Sequence, residues 1–218
     1  MEWSCMTEPV ARMVFCDFDG TITVEDTFVK VCRHFAADVV DRMLKDIFKG
    51  TLTLKEGIRT IVESIPSSRY EEMLDFVNGT PLRPGLDSFL DFLEEKQVPF
   101  VVISGGLRSL VERQLGDIAK RASAIYAADV DTAGPCLHVI SEFEEGTELV
   151  NKKKIMDTYS FTDAVALGDG VTDHGMAMAA SLVFARRHLA DYLDKQNRPY
   201  VRWNDFHDVR EALVRRWM

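Results

Sequence analysis

The chain has 218 residues, of which 46% are hydrophobic and 28% charged, and its net charge at pH 7 is −9. This length suits one α/β domain, or a core domain with a smaller inserted one. The negative charge disfavours nonspecific binding to nucleic acid or to an anionic membrane, because like charges repel. No apolar run reaches the ~20 residues that a membrane span needs, and residues 1–12 lack the pattern of a secretory signal.

The cysteines and histidines lack the spacing of a metal site or a redox pair. We expect the four thiols to be buried in a reducing, cytoplasmic protein; they belong to Cys5, Cys16, Cys32 and Cys136. The five histidines also have no ligand spacing, so we expect no zinc site.

The first predicted element is a buried strand over residues 13–18, which runs into the acidic turn of residues 17–21, DFDGT. Residues 21–24 alternate in polarity and are predicted to form a short β flap. From residue 26 to about 79 the apolar spacing is helical, and no strand pattern interrupts it. This stretch is therefore predicted to be an all-helical insertion.

Local signals divide the insertion into separate helices. Gly50 is predicted to end the first helix. Thr53 and Glu56 have the spacing of a capping box at the start of the second. Ser67 or Ser68 is predicted to cap a further helix that follows Pro66.

The remaining chain alternates between strands and helices. Buried strands are predicted at 98–103, 164–167, 182–185 and 200–203. Helical patterns cover 86–93, 108–115, 152–159 and 176–180, a last helix starts at 205, and short strands and turns fill 124–149. Buried strands that alternate with helices indicate an α/β fold with a doubly wound, Rossmann-like parallel sheet.

Three of the predicted strands end in polar or glycine-rich turns, which would meet at one edge of a parallel sheet. Together with the start of one helix, these turns bring the following residues to that edge: Asp17, Asp19, Ser104, Gly105, Gly106, Lys152, Asp169 and Asp173. Four adjacent carboxylates repel one another and raise each other's pKa values. A Mg²⁺ ion relieves this repulsion, because it prefers oxygen ligands and leaves positions for phosphate.

The same residues suit phosphoryl transfer. Ser104 and the backbone amides of Gly105 and Gly106 can donate to phosphate oxygens, and Lys152 adds a positive charge. One carboxylate can attack phosphorus and form an aspartyl-phosphate, while a second protonates the leaving oxygen and then activates water.

These four motifs, in this order, resemble those of the haloacid dehalogenase-like superfamily, and the resemblance covers nearly the whole chain. It implies a nucleophile that also binds metal at Asp17, and a general acid/base at Asp19 whose backbone carbonyl contacts the metal. It further implies a phosphate-binding hydroxyl at Ser104, a metal ligand at Asp169, and at Asp173 a supporting carboxylate of the metal site. We also expect Thr21 and Asp26 to contact the phosphate or the rest of the substrate.

The catalytic lysine has three adjacent candidates, Lys152, Lys153 and Lys154. In the superfamily pattern, the lysine is followed by two residues of any type and then by two apolar residues. With Ile155-Met156 as the apolar pair, this pattern favours Lys152. The other two lysines are expected to lie at the surface. Arg186, near the end of a predicted strand, is a further but less favoured candidate for the site.

The second aspartate, Asp19, indicates a phosphatase or phosphotransferase rather than a dehalogenase. The helical insertion resembles the small cap of the phosphoserine phosphatase branch, so the predicted domains are a core of residues 1–23 and 82–218 and a cap of residues 24–81. Further shared features are residues 17–23, DFDGTIT, Asp26, the run Leu54-Lys55-Glu56-Gly57 that leads to Pro66-Ser67-Ser68, and Phe184-Ala185-Arg186. Through these residues the chain resembles, within that branch, the methionine-salvage phosphatases that act on 2-hydroxy-3-keto-5-methylthiopentenyl-1-phosphate.

Other functions stay open. A phosphoserine phosphatase needs a cap arginine for the substrate carboxylate, but that position is Ile58, and Arg59 lies about 100° around the helix. A signalling receiver carries its phosphoacceptor on the third strand and has no insertion. The sequence therefore predicts a Mg²⁺-dependent phosphatase for a small phosphorylated metabolite, without indicating the oligomeric state.

Overall fold

The computed structural model describes residues 10–217, so Cys5 and the rest of segment 1–9 lie outside the described residues. Within this range the strands form one sheet in the order β4-β3-β2-β1-β5-β6-β7. Their bounds are β1 Val10–Asp17, β2 Phe100–Leu107, β3 Ala124–Asp131, β4 His138–Ile140, β5 Phe161–Gly168, β6 Leu182–Ala185 and β7 Val201–Arg202. Among the described strands, only the β3–β4 pairing is antiparallel. The predicted doubly wound α/β fold is confirmed.

Helices cover both faces of the sheet. They are α1 Thr27–Phe48, α2 Leu54–Val62, α3 Tyr70–Phe76, α4 Leu86–Glu95, α5 Arg108–Leu115, α6 Lys152–Met156, α7 His174–Ala179, α8 Arg187–Lys195 and α9 Phe206–Trp217. Side chains of β1 alternate between the two apolar layers: Met13 and Phe15 enter one, Val14 and Cys16 the other. Burial on both faces explains the continuous apolar sequence of this strand.

The parallel part of the sheet, β3-β2-β1-β5-β6-β7, differs from the 2-1-3-4-5 order that a signalling receiver of the flavodoxin-like type has. The chain moves from β1 to one side through β2 and β3, and then returns to the other side of β1 with β5. This arrangement disfavours the receiver alternative and places the reversal of strand order between β1 and β5.

Helices α1, α2 and α3 lie between β1 and β2, as the helical pattern predicts. The capping box of Thr53 and Glu56 is present, and Gly50 has the positive φ of 70° that follows a helix end. The prediction that Ser67 or Ser68 caps a helix is wrong. Both lie in a short 3₁₀ turn without a side-chain cap, and the backbone N–H of Ser67 donates to the Pro135 carbonyl.

The predicted flap also differs. Residues 18–22 form a tight helical turn that the Thr23 N–H closes on the Phe18 carbonyl, so only one bridge, Thr23–Leu82, remains of the flap. The second predicted strand is shifted, since it begins at Phe100 and continues through the glycines to Leu107.

The helices between β1 and β2 contact the segment that joins β3 to α6. Backbone N–H groups of Lys55 and Leu137 donate to the carbonyls of Thr147 and Ile65. Arg59 donates to the Val139 carbonyl and pairs with Glu144, at 2.6 and 2.7 Å. These bonds hold α2 over the carboxyl edge of the sheet. The division into a cap and a core domain stays a prediction.

Two further expectations concern burial and membranes. Cys16 and Cys32 are buried, as expected, whereas Cys136 is partly exposed. Every helix within residues 10–217 is too short or too polar to traverse a lipid bilayer. Cytoplasmic location stays a prediction.

Candidate active site

The candidate site lies at the carboxyl edge of the sheet, where β1 and β5 are neighbours but the connections from them leave in opposite directions. Such a reversal opens a crevice at the strand ends, which is the usual binding position in open α/β sheets. Asp17 is the last residue of β1, and Asp169 follows the last residue of β5. The topology thus brings two carboxylates that are far apart in sequence to one place.

Lys152 is at the centre of the site. It is the first residue of α6 and is 1% exposed. Its Nζ donates to Asp17 Oδ1 at 2.5 Å and to Asp173 Oδ1 at 2.6 Å. Lys153 instead pairs with Asp157 at the surface, and Lys154 donates to the Glu144 carbonyl. Of the three adjacent lysines, Lys152 is the one that reaches the carboxylates.

Asp173 links the lysine to the turn after β5. Its Oδ2 accepts the backbone N–H groups of Asp169 and Gly170, at 2.9 and 2.8 Å. A Cβ at Gly168 would lie 2.5 Å from that oxygen, so a glycine is needed for this close approach. Both oxygens of Asp173 therefore have donors within the protein.

The carboxylates of Asp17, Asp169 and Asp173 form a compact cluster. One oxygen from each lies within 4.8 Å of the others. Burial, with the Asp173 carboxylate next in size, raises the pKa of Asp17 well above its usual range, and Lys152 opposes this shift. Burial and Asp173 also raise the pKa of Asp169. Asp17 Oδ2 is buried without a hydrogen-bond partner among the described residues.

This cluster fits a hard divalent cation. Three carboxylates face one ammonium, all donors are oxygens, and one buried oxygen of the Asp17 side chain has no partner. An unpaired buried charge of this kind is costly unless a cation or a proton compensates it. Oxygen-only donor sets of this type suit Mg²⁺.

Asp19 lies outside this cluster, although only one residue separates it from Asp17. Its Oδ1 accepts from Thr27 Oγ1 at 2.5 Å and from the Phe28 N–H at 3.0 Å, and its Oδ2 accepts from Ser104 Oγ at 3.1 Å. The turn of residues 18–22 redirects the chain, with Gly20 at φ 81°. The two aspartates of the motif therefore have different surroundings.

A cavity of about 320 Å³ extends from these carboxylates. Part of its lining is polar, with Asp17, Asp19 and Asp169, together with Gly105 and Gly106. Another part is an aliphatic wall from α1 and α2; it includes Val40, Leu44, Ile47, Leu54, Ile58 and Ile61. The cavity therefore suits a ligand with a polar part and an apolar part.

The other predicted site residues take varied positions. Asp26 lies on the cavity wall, and its side chain caps α1 by accepting from the Val29 N–H at 2.8 Å. Thr21 is fully buried and lies 3.5 Å from Asp169 Oδ1, so in this structure it contacts the carboxylate cluster. Ser104 is also fully buried, and its Oγ accepts from the Gly106 N–H.

Three basic residues near the site were not expected in these positions. Arg186, the sequence candidate, donates to the Asn204 carbonyl and is not among the described residues that line the cavity. The next residue, Arg187, contacts Asp169 Oδ2 at 3.2 Å and has a positive φ of 43°. Buried Arg83 binds the turn after Asp19. Neither contact has a local sequence signal, because each depends on tertiary packing.

Comparison with known proteins gives one consistent result. Residues 14–178 match the model of the haloacid dehalogenase-like hydrolase family. Two proteins of Microcystis aeruginosa, both named 2-hydroxy-3-keto-5-methylthiopentenyl-1-phosphate phosphatase, are 43% and 44% identical over 95% of this chain and all of theirs. A substrate-bound phosphoserine phosphatase structure superposes with a TM-score of 0.69 and 18% identity, over 94% of this chain and 99% of that one. At this low identity the structural likeness concerns the fold alone.

Proposed function

Because this chain belongs to the haloacid dehalogenase-like hydrolase family, we propose that it hydrolyses a small phosphate monoester through an aspartyl-phosphate, with Mg²⁺ as cofactor. The observation that carries this proposal is the arrangement around Asp17. A buried lysine holds one of its oxygens, the other oxygen has no partner, and two further carboxylates lie beside it at the end of a cavity. A nucleophile, a cation site and room for a substrate are thus adjacent.

In the first step, a carboxylate oxygen of Asp17 attacks phosphorus and the ester P–O bond breaks, which leaves an aspartyl-phosphate and an alkoxide. Asp19 donates a proton to that alkoxide as it leaves. In the second step Asp19 takes a proton from water, whose oxygen attacks phosphorus and releases inorganic phosphate and free Asp17. The ammonium of Lys152 holds Asp17 in place through a hydrogen bond and opposes the effect of burial on the pKa of Asp17.

The ion would be held by the carboxylates of Asp17 and Asp169, with the backbone carbonyl of Asp19 as a third protein ligand. We propose that Asp173 supports the metal site indirectly, by accepting hydrogen bonds from Lys152 and from the backbone amides of the turn after β5. Bound Mg²⁺ supplies positive charge that offsets the repulsion between the phosphate and the carboxylates. The phosphate itself would be held by Ser104 and by the backbone amides of Gly105 and Gly106, with Thr21 and Asp26 close by.

We propose 2-hydroxy-3-keto-5-methylthiopentenyl-1-phosphate as the substrate, which the names of the relatives at 43–44% identity support. The aliphatic wall suits an uncharged tail opposite the phosphate. Among the described residues, no arginine or lysine lines the cavity on its α1 and α2 side. Ile58 lies on that wall, whereas the guanidinium of Arg59 binds Val139 and Glu144. These features disfavour phosphoserine, whose carboxylate would lack a cationic partner on this wall.

A panel of phosphate esters tests this proposal. The panel contains the methylthiopentenyl ester, phosphoserine, n-butyl phosphate and p-nitrophenyl phosphate, and it is run with Mg²⁺ and with EDTA. We expect Mg²⁺-dependent release of phosphate and the highest kcat/KM for the methylthiopentenyl ester. Phosphoserine as the best substrate would overturn the substrate assignment, and full activity in EDTA would overturn the metal assignment.

A further inference from the structure

Arg83 is a buried arginine, with 5% of its surface exposed. Within residues 10–217, its guanidinium donates to backbone carbonyls and not to a carboxylate. Its Nε donates to the Thr21 carbonyl at 2.7 Å, and its Nη2 donates to the carbonyls of Gly20 and Thr23 at 2.6 and 3.0 Å. Its Nη1 donates to the Asn204 carbonyl at 3.2 Å. Among the described residues it forms no ion pair.

Three of these carbonyls belong to the turn that carries Asp19. That turn has no regular helix or sheet to hold it, because Gly20 is at φ 81° and only a few internal bonds close it. A buried carbonyl without a donor is unfavourable. The planar guanidinium of Arg83 donates to three such carbonyls at once in fixed directions. The compact ammonium of a lysine would do this less well.

The backbone of Arg83 adds a second connection. Its N–H donates to the Ile22 carbonyl at 2.7 Å, and the neighbouring Thr23–Leu82 bridge joins the same two segments. These are the segments by which the chain enters the helices α1–α3 and returns from them. Arg83 therefore joins the entry, the return and the turn of Asp19.

Charge is a smaller part of its role. Burial, together with Arg186 and Arg187, lowers the pKa of Arg83 to about 10, so that it stays protonated at neutral pH. The indole of Trp203 lies beside the guanidinium, with 5.4 Å to the ring centroid. The surroundings thus hold a charged group whose bonds all go to backbone.

We infer that Arg83 is a positioning residue for the general acid/base: it holds the turn of residues 20–23 so that Asp19 meets the leaving oxygen. This inference rests on the proposed function. It predicts a specific defect, because p-nitrophenolate leaves without a proton at neutral pH, whereas an alkoxide needs one. Loss of Arg83 should therefore slow an alkyl ester more than the nitrophenyl ester.

The test compares kcat/KM for n-butyl phosphate and for p-nitrophenyl phosphate, because this ratio reports steps up to formation of the aspartyl-phosphate. The variants are Arg83→Met, Arg83→Lys and the control Arg186→Met. Arg186 also lies over the Trp203 ring and also donates to the Asn204 carbonyl, but among the described residues it forms no hydrogen bond with the turn. We expect Arg83→Met to lose at least tenfold more activity on the butyl ester than on the nitrophenyl ester. Arg83→Lys should restore part of this difference, and Arg186→Met should show no such difference.

Amide hydrogen exchange gives a readout that does not depend on activity. Exchange at residues 20–24 and 83 should accelerate in Arg83→Met and stay unchanged in Arg186→Met. Equal loss on both esters in a folded Arg83→Met, or unchanged exchange in the turn, would overturn the inference. Wild-type protein that hydrolyses neither ester would instead contradict the proposed function, and exchange would still report whether Arg83 holds the turn.

Discussion

Replacing Lys152 by methionine removes the one ammonium from a buried carboxylate cluster while keeping the length of the side chain. Its Nζ contacts Asp17 and Asp173, and all three side chains are almost fully buried. Breaking a buried ion pair by removing one partner costs about 3–5 kcal/mol. At roughly 2–4 °C per kcal/mol for a chain of this size, Tm at pH 7 should fall by roughly 6–20 °C.

The loss should depend on pH with a definite sign. Burial raises the pKa of Asp17, and Lys152 partly opposes this effect. The pKa of Asp17 should therefore rise further in Lys152→Met. A carboxyl group whose pKa is raised on folding contributes stability that is fully present below its pKa in the unfolded protein, ~3.9. This contribution is lost as pH rises through its pKa in the folded protein. The difference in Tm between the variant and the wild type should therefore shrink as pH is lowered from 7 toward 4.

Thermal unfolding at pH 5 and 7, with and without Mg²⁺, measures this effect, with phosphate release recorded in parallel. Lys153→Met is the matched control, because Lys153 is exposed and forms a surface pair whose contribution is at most about 1 kcal/mol. Activity of Lys152→Met should fall at least a hundredfold. A Tm within 1 °C of wild type at pH 7, or a loss that grows at lower pH, would refute the reasoning.

Three further changes have defined outcomes. Gly20→Ala should lower kcat about a hundredfold, because its Cβ would lie 2.4 Å from Asp169 Oδ2. The control is Gly50→Ala, which should only reduce Tm slightly, because Gly50 has a similar φ but open space around it. Asp17→Asn should abolish phosphate release while the protein stays folded by circular dichroism, and residual turnover near wild type would exclude it as nucleophile. Ile58→Arg should lower kcat/KM for n-butyl phosphate at least tenfold, whereas exposed Thr60→Arg should not.

The positions of the motif residues could be predicted because they depend on general rules for parallel sheets. Asp17 and Asp169 end neighbouring strands, and the carboxyl ends of such strands meet at one edge. Ser67 shows the limit of local signals. Its sequence context suits a helix cap, but its backbone N–H goes to Pro135, a residue 68 positions away that no local pattern connects to it. Arg83 is a similar case, since binding to backbone carbonyls leaves no signature in the residues it binds.

In the proposed mechanism, Asp19 would connect substrate selection with proton transfer. Its Oδ1 accepts from Thr27 and Phe28, the first two residues of α1, and Phe28 and Val29 of the same turn also line the cavity. Its Oδ2 accepts from Ser104, on the strand whose glycines line the cavity. A ligand that moves this turn outward should therefore lengthen the bonds that orient Asp19. In the proposed mechanism, an ester whose tail leaves the turn in place keeps those bonds, whereas a tail that displaces the turn should lower kcat as well as affinity.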